Sequence, residues 1–367
     1  MRILYDHQIF STQKYGGVSK YFCEVMKNIV PEHEFDLSLI LSDNQYLKED
    51  HRFFKKKIIP FPEKQFKGRT FLRKKIYFLN KECSKRAILS NRYDLFHPTF
   101  FDDYFLDTLK KPYVITVHDL TQFKFKDIFY WKGANLPLME KVIKNADRII
   151  SISQNTKKDL IEMLNINPGK IDVVHHGYNK PSGTHVTNRF GKYILFVGSR
   201  ERYKNFITFA RAISSLLNKE SDLKLVCVGP PFNKEELEEL KKLNILESTT
   251  ILTVDENTLN NLYSNALVFA YPSLYEGFGM PILEAFANNC PVCLSDASCF
   301  PEIARDAGAY FDPSDSESIL EAVTRVLYDN SLKTRMIRAG NERLAQFSWK
   351  KTALETADSY KKALQPQ

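Results

Sequence analysis

Short apolar runs alternate with segments of helical periodicity along both halves of the chain. Candidate strands in the first half are the runs MRILY, LSLIL, DLFHP, YVITVHD and RIISIS. Those in the second half are YILFVGS, LKLVCVG, TTILTV, ALVFAYPS, PVCLSD and AYFDP. Strands that alternate with helices form parallel sheets with right-handed crossovers. The pattern therefore predicts an α/β protein with two Rossmann-like, doubly wound domains that face each other across a cleft.

A break in this periodicity divides the chain. Turn-forming residues dominate the stretch NKPSGTHVTNRFG, residues 179–191, where we expect a linker. A length of 367 residues also favours two domains over one. We predict an N-terminal domain over 1–180, a second domain over 181–348, and a C-terminal helix over 349–367 that packs back on the first domain.

Composition excludes several classes of protein. Hydrophobic residues make up 43% and charged residues 26% of the chain, as in ordinary globular domains and unlike disordered ones. No apolar run approaches the ~18–20 residues of a membrane span, and the N-terminus enters a strand without the hydrophobic region of a signal peptide. These features predict a cytoplasmic protein. The six cysteines predict reduced, buried thiols, and the CxxC pair Cys290 and Cys293 lacks the further ligands of a zinc site.

The segment YPSLYEGFGMPILEA, residues 271–285, carries the most specific pattern in the chain. It follows a predicted buried strand and places Glu276 in a glycine-rich loop and Glu284 in the first turn of a helix. A carboxylate accepts two hydrogen bonds at once, which suits the hydroxyls of a ribose or a sugar. Gly277 and Gly279 let backbone amides approach a ligand, and the start of the helix favours an anion. Glu284 alone would be typical of a residue that complements the helix dipole, but two glutamates in E-x7-E spacing indicate a binding site.

This segment resembles the signature of the retaining glycosyltransferases of family 4, which have the two-domain GT-B fold, and the resemblance extends over nearly the whole chain. It implies that Glu276 lies by the transferred sugar and that Glu284 binds the ribose of the nucleotide. It further implies that backbone amides contact the sugar hydroxyls and the pyrophosphate, namely those of Gly277, Phe278, Gly279 and Met280. Transfer with retention of anomeric configuration is implied by the resemblance alone.

A basic loop, GSRERYKN, follows the first strand of the second domain. A nucleoside diphosphate leaving group gains negative charge as the glycosidic bond breaks, and fixed cations beside it stabilise that charge. Lys204 and one arginine suit this task. The resemblance matches Lys204 to a conserved lysine of the family but leaves Arg200 and Arg202 open, and we favour Arg200.

Other loops resemble ligand-contacting positions of the family. Gly16 and Gly17 lie in the first strand-to-helix turn, where their amides would reach the donor phosphates and the acceptor. His118 ends a strand, and the resemblance carries to it the role of the histidine near the reacting sugar, with Asp119 as its neighbour. Val254 lies in the loop TVDE, where the family holds the nucleotide base. The stretches 151–153 and 175–177 resemble further cleft-lining loops.

No pattern in the sequence supplies a metal site. Asp102 and Asp103 form the nearest approach to a DxD motif, but they lie in an aromatic loop of the first domain. Charge neutralisation by cationic side chains agrees with a metal-independent reaction. No pair of carboxylates of the glycosidase type is evident, so a front-face mechanism is expected, in which the leaving phosphate assists deprotonation of the acceptor. No cofactor is expected beyond the donor, a GDP-sugar or a UDP-sugar.

The net charge of +8 is unevenly distributed. Residues 48–92 contain fifteen lysines and arginines against four acidic residues, interleaved with phenylalanines and tyrosines, so the rest of the chain is slightly acidic. A solvated helix face and a nucleic-acid surface are alternatives, but no nucleic-acid module surrounds the stretch. Because the family often acts on lipid-linked sugars, we favour peripheral contact with an anionic membrane on its inner, cytoplasmic face.

These features together predict a glycosyltransferase of surface polysaccharide or O-antigen synthesis. It would move a hexose, with GDP-mannose as the favoured donor, to a lipid-linked saccharide. Two alternatives stay open: a nucleotide-sugar epimerase of the same fold, which needs no acceptor, and a non-catalytic protein that binds nucleotide-sugar or membrane. An NAD-dependent oxidoreductase is disfavoured because GxGxxG does not follow the first strand.

Overall fold

The structure is a computed structural model that describes residues 1–29, 33–48, 59–60, 69–130, 133, 135–180 and 189–365. The chain forms two compact units. Unit 1 contains Met1–Gly177 together with Ser348–Gln367, and unit 2 contains Tyr178–Phe347. Most of the predicted linker, residues 181–188, lies outside the described residues.

Unit 1 is built on parallel strands. Its strands are β1 (Arg2–Tyr5), β2 (Glu34–Leu37), β3 (Leu41–Ser42), β4 (Ile59–Pro60), β5 (Leu95–His97), β6 (Val114–Val117), β7 (Arg148–Ser151) and β8 (Ile171–Val173). They pair in the orders β2-β1-β5, β6-β7-β8 and β3-β4. A parallel bridge between Phe96 and Tyr113 links the first two sheets.

Helices follow the strands of unit 1 and cover their faces. They are α1 (Gln8–Thr12), α2 (Gly17–Lys27), α3 (Gln45–Lys48), α4 (Arg69–Leu89), α5 (Thr121–Lys124), α6 (Lys126–Tyr130), α7 (Leu136–Lys144) and α8 (Gln154–Leu164), with a final helix, Trp349–Ala363, from the end of the chain. That final helix belongs to the core of this unit, because Tyr360 is buried and its hydroxyl lies 2.7 Å from both the Tyr5 hydroxyl and His97 Nδ1. The C-terminus therefore completes the N-terminal unit.

Unit 2 contains one six-stranded parallel sheet in the order β11-β10-β9-β12-β13-β14. Its strands are β9 (Lys192–Val197), β10 (Leu223–Val228), β11 (Thr249–Leu252), β12 (Val268–Tyr271), β13 (Val292–Ser295) and β14 (Gly308–Phe311). Its helices are α9 (Phe206–Lys219), α10 (Lys234–Lys242), α11 (Glu256–Asn265), α12 (Met280–Ala287), α13 (Phe300–Ala304), α14 (Ser316–Tyr328) and α15 (Asn330–Leu344), so the final helix of unit 1 is α16. The strand order reverses between β9 and β12, and such switch points are where open α/β sheets bind ligands.

The predicted fold class is confirmed, but strands β2, β3, β4 and β8 of unit 1 differ from the sequence prediction. The prediction of a strand over the run LSLIL is wrong. Strand β2 instead covers Glu34–Leu37 and pairs with β1 in register from Arg2 to Tyr5. The amide and the hydroxyl of Ser38 both donate to Tyr5 O, which ends this pairing. Strand β8, Ile171–Val173, was not predicted because its three residues include a charged one.

Candidate active site

Glu276 and Lys204 form an ion pair at the carboxyl edge of the sheet in unit 2. Lys204 Nζ lies 2.6 Å from Glu276 Oε1, and the two side chains are 15% and 14% exposed. Glu276 follows strand β12, and Lys204 ends a short 3-10 turn after β9. The Leu274 amide donates to Tyr203 O at 2.8 Å and ties the two loops together. Adjacent parallel strands thus bring together two residues that are 72 positions apart.

Tyr271 lies beside this ion pair at the end of strand β12. Its side chain is buried, and the Lys204 ammonium lies 5.9 Å from its ring centre. Burial raises the pKa of Tyr271 well above its ordinary value, and the neighbouring Glu276 carboxylate raises it further. The hydroxyl therefore stays protonated and can donate a hydrogen bond to that carboxylate. The sequence did not indicate Tyr271 as a site residue, because an aromatic residue in a buried strand is typical of a protein core.

Gly279 sets the direction in which helix α12 begins. It is the N-terminal cap of the helix and has φ +84°, a left-handed conformation that L side chains rarely adopt. A Cβ at this position would lie 3.1 Å from Ile282 Cδ1 and 3.2 Å from Phe300 Cε1. Pro281 then occupies an early helical position, where its missing N–H costs nothing. Gly277 and Phe278 are buried, whereas Met280 is half-buried at the start of the helix.

Glu284 lies one turn into helix α12 and is held by a tyrosine from the preceding helix. The Tyr263 hydroxyl donates to Glu284 Oε2 at 3.0 Å, and Tyr263 itself is fully buried. Burial raises the pKa of Tyr178, and the charges of Glu284 and Glu256 raise it further. The sequence did not indicate either tyrosine, because neither belongs to the motif that carries the glutamates.

Arg200, the arginine that we favour from the sequence, contacts the residues that follow strand β10. Its side chain is 3% exposed, and its Nη2 donates to Pro230 O at 2.7 Å and to Pro231 O at 2.9 Å. Its Nε lies 3.1 Å from Glu236 Oε1, and its guanidinium carbon lies 4.6 Å from the ring centre of Phe232. These contacts tie the guanidinium to the loop after β10 and to the first turn of α10, while its Nη1 is buried without a hydrogen-bond partner among the described residues. Arg202, which the sequence left open, is exposed in the same 3-10 turn as Lys204.

Val254 is half-buried in the loop that follows strand β11. The preceding Thr253 donates its hydroxyl to Gly229 O at 3.0 Å, which connects this loop to the one after β10. The next residue, Asp255, caps helix α11 by accepting a hydrogen bond from the Thr258 amide. The loop is therefore held at both ends, at the carboxyl edge where the Glu276 and Lys204 loops also lie.

His118 lies at the carboxyl end of strand β6 in unit 1. Its Nε2 is buried and has no hydrogen-bond partner among the described residues. Its ring contacts the rings of Tyr21, at 5.0 Å between centres, and His176, at 5.5 Å. Burial lowers the pKa of His118 to about 3, so the imidazole is neutral near pH 7. The carboxylate of the next residue, Asp119, accepts a hydrogen bond from the Thr121 amide.

Gly16 and Gly17 stand at the start of helix α2, which is eleven residues long. A Cβ at Gly17 would meet open space, whereas one at Gly16 would meet the Gln13 side chain at 2.4 Å. Gln13 Oε1 accepts a hydrogen bond from the Ser19 amide, and the Ser19 hydroxyl donates to Gly16 O. These bonds shape the turn, while the space at Gly17 gives a ligand access to the backbone.

Several remaining candidates make structural contacts. Ser153 caps helix α8, and Asp102 accepts hydrogen bonds from Tyr77 and Lys81. The Cys290 and Cys293 thiols are free and buried, and burial raises the pKa of Cys293 to about 12. Within the described ranges, no three His, Cys, Asp or Glu side chains form a group that could hold a metal ion. In those same ranges no helix is long and apolar enough to cross a bilayer.

Two family profiles match the chain in tandem. Residues 15–180 match the profile described as Glycosyltransferase Family 4, and residues 184–343 match the one described as Glycosyl transferases group 1. An O-antigen chain mannosyltransferase of Salmonella typhimurium is 29% identical over 58% of this chain and 60% of its own length. O-antigen chain mannosyltransferase B of Escherichia coli is 32% identical over 46% of this chain and 45% of its own length. The chain thus spans about half the length of these curated relatives.

Solved structures share the fold over nearly the full chain. Sucrose-phosphate synthase from Thermosynechococcus elongatus superposes with a TM-score of 0.73 at 18% identity and covers 98% of both chains. The Anabaena protein HepE, solved with UDP and glucose, has a TM-score of 0.72 at 14% identity and covers 98% of this chain and 99% of its own. Both units therefore have the Rossmann-like architecture of the GT-B class, and the chain belongs to glycosyltransferase family 4.

Proposed function

We propose that this protein is a metal-independent, retaining glycosyltransferase that moves a hexose from a nucleoside diphosphate sugar to a saccharide acceptor in surface polysaccharide synthesis. The observation that carries the proposal is the ion pair of Lys204 and Glu276, at 2.6 Å, next to the start of helix α12. It places a fixed cation and a carboxylate at one edge of a parallel sheet. Glu284, held by Tyr263, adds a second carboxylate on the same helix.

Each group has a role in this proposal. Glu284 binds the ribose hydroxyls, and Glu276 lies by the transferred sugar. Lys204, supported by the exposed Arg202, stabilises the charge that develops on the leaving diphosphate as the bond from sugar C1 to phosphate oxygen breaks. The acceptor hydroxyl forms the new bond to C1 on the same face, and its proton passes to the leaving phosphate. His118, whose imidazole is neutral near pH 7, lies near the transferred sugar in this proposal, as the family resemblance implies.

The named relatives support a more specific proposal. The two O-antigen mannosyltransferases favour mannose, and we propose GDP-mannose as the donor. A Campylobacter jejuni relative, 28% identical over 53% of this chain, has a name that describes transfer to a diphospho-undecaprenol saccharide. By analogy, we propose a polyprenyl-diphosphate saccharide as the acceptor and the cytoplasmic face of the membrane as the place of action.

A transfer assay tests this proposal. We expect the purified chain to convert a polyprenyl-diphosphate saccharide to a product one hexose heavier with GDP-mannose, and to release GDP in equal amount, as measured by mass spectrometry. UDP-glucose and UDP-galactose are the comparison donors, and a reaction without acceptor is the control. Sugar interconversion without acceptor would replace the transferase with an epimerase. Failure of every donor and acceptor would contradict the proposal.

Helix α4 offers a surface suited to an anionic membrane. Phe71 and Phe78 are 63% and 61% exposed on it, and Leu79 is 50% exposed. Lys74 and Lys75 lie between the two phenylalanines and are also exposed. Exposed aromatic side chains partition into the interfacial region of a bilayer, and lysines beside them attract anionic headgroups. Residues 49–58 and 61–68 of the basic stretch lie outside the described residues, and Arg73 and Lys81 of α4 form ion pairs with Asp43 and Asp102.

Charge reversal on this helix tests the membrane contact. We expect the variant Lys74→Glu with Lys75→Glu to bind phosphatidylserine-containing vesicles roughly 30-fold more weakly in a sedimentation assay, because each basic residue near the surface contributes about 1 kcal/mol. The matched control is Lys350→Glu with Lys351→Glu, an exposed pair on helix α16 with the same change in net charge. Equal weakening by both pairs would show only a net-charge effect and would contradict a contact through α4.

A further inference from the structure

Ser298 holds both backbone polar groups of Glu276. Its hydroxyl donates to Glu276 O at 2.6 Å and accepts a hydrogen bond from the Glu276 amide at 3.1 Å. Ser298 lies in the loop after strand β13, the neighbour of the strand that leads to Glu276. The Ser298 hydroxyl thus forms hydrogen bonds with both the backbone N–H and the backbone C=O of Glu276, which lies in another loop.

The backbone of Ser298 makes this serine unusual. Its φ is +56°, in the left-handed region that favours glycine. A serine here accepts a backbone strain that glycine would avoid. Strain of this kind persists where the side chain performs a function, and the contact of this hydroxyl with Glu276 supplies one.

The contact holds the backbone of Glu276 directly. The buried side chains of Tyr275 and Phe278 anchor the loop on either side, and the Ser298 hydroxyl fixes Glu276 between them. Lys204 is held within its own turn, where its amide donates to Glu201 O at 2.7 Å. The distance between the ammonium and the carboxylate, 2.6 Å, therefore depends on how firmly the backbone of Glu276 is held.

We propose that Ser298 is a positioning residue, which keeps the Glu276 carboxylate in place against Lys204 and the transferred sugar. This inference rests on the proposed transferase function. It assigns to the loop after β13 a part in the reaction, although Ser298 itself contacts neither the substrate nor the reacting atoms.

Two substitutions separate the hydroxyl from the backbone strain. Ser298→Gly removes the hydroxyl and relieves the left-handed conformation, whereas Ser298→Ala removes the hydroxyl and keeps the strain. We expect both to lower kcat by roughly 10- to 100-fold, because a displacement of about 1 Å at a reacting group can cost about 10²-fold. The Kd for the nucleoside diphosphate should stay unchanged, since Glu284 binds the nucleotide. The melting temperature of Ser298→Gly should not fall below that of the wild type.

Two further variants make the outcomes distinguishable. Ser318→Ala removes a hydroxyl that bonds to the Asp312 amide elsewhere in unit 2 and should keep the kcat of the wild type. If Glu276→Ala is inactive while Ser298→Gly keeps its kcat, the positioning role is excluded and the transferase proposal survives. If Glu276→Ala keeps full activity, the proposed function itself fails. Equal losses of kcat, nucleotide affinity and melting temperature in Ser298→Gly would show general disruption and would also overturn the inference.

Discussion

Replacement of Glu276 by alanine is expected to lower kcat/KM for sugar transfer by about 10³-fold, which corresponds to about 4 kcal/mol of transition-state stabilisation. The carboxylate lies 2.6 Å from Lys204, the cation that we propose for the leaving group, and removal of one preorganised polar group commonly costs about 10²–10³-fold. The measurement is initial-rate kinetics with GDP-mannose and a lipid-linked acceptor. Glu321→Ala, which alters an exposed glutamate on helix α14, is the matched control and should leave the rate unchanged.

Glu276→Ala is also expected to lower the stability of the protein. A second variant separates this effect from the loss of catalysis. Lys204 is 15% exposed, so the loss of Glu276 leaves a mostly buried ammonium without this partner and should lower the melting temperature. Adding Lys204→Met to Glu276→Ala should restore much of that temperature, because the uncompensated charge is gone, yet it should restore no activity. Recovery of activity in the double variant would contradict the catalytic roles of both residues.

Replacement of Glu284 by alanine is expected to abolish stabilisation by the nucleotide. A ligand at about 100 times its Kd stabilises a folded protein by about 2.7 kcal/mol, which a thermal-shift assay detects as a few degrees. We expect GDP to produce this shift in the wild type and not in Glu284→Ala, within a panel that also includes UDP, dTDP, ADP and NAD. Tyr263→Phe, which removes the hydroxyl that holds Glu284, should give an intermediate shift.

The nucleotide panel has outcomes that would contradict the assignment. An unchanged GDP shift in Glu284→Ala would remove Glu284 from the ribose site. A response to NAD alone would contradict a transferase and favour a dinucleotide enzyme. A response to UDP in place of GDP, still lost in Glu284→Ala, would keep the site and correct the proposed donor.

Much of the fold could be predicted because its signals are local. Apolar strands such as YILFVGS and helices such as NKEELEELKKLN carry their periodicity within a few residues, and the structure places β9 and α10 on them. Strand β2 was misplaced because its residues, EFDL, include two acids, and only pairing with β1 selects them over the more apolar run that follows. Strand pairing is a long-range choice, which a local pattern does not encode.

The same distinction between local and long-range signals applies to the candidate site. The E-x7-E spacing placed Glu276 in a loop and Glu284 on a helix, and both elements stand where the sequence put them. The sequence left Arg200 and Arg202 open, because both lie in one basic loop, residues 198–205, between β9 and α9. In the structure the carbonyls of Pro230 and Pro231 and the carboxylate of Glu236 contact Arg200, whereas Arg202 is exposed.

The sequence by itself indicated the class of fold through the alternation of strand and helix patterns. It also indicated Glu276, Glu284 and Lys204 as candidate site residues, because each belongs to a contiguous motif. Only the tertiary structure decided which groups hold the two glutamates: Ser298 on the backbone of Glu276 and Tyr263 on the carboxylate of Glu284. These partners come from elements distant in the chain. A hydrogen bond depends on positions to within a few tenths of an ångström, and such positions are set only when the strands have paired and the helices have packed.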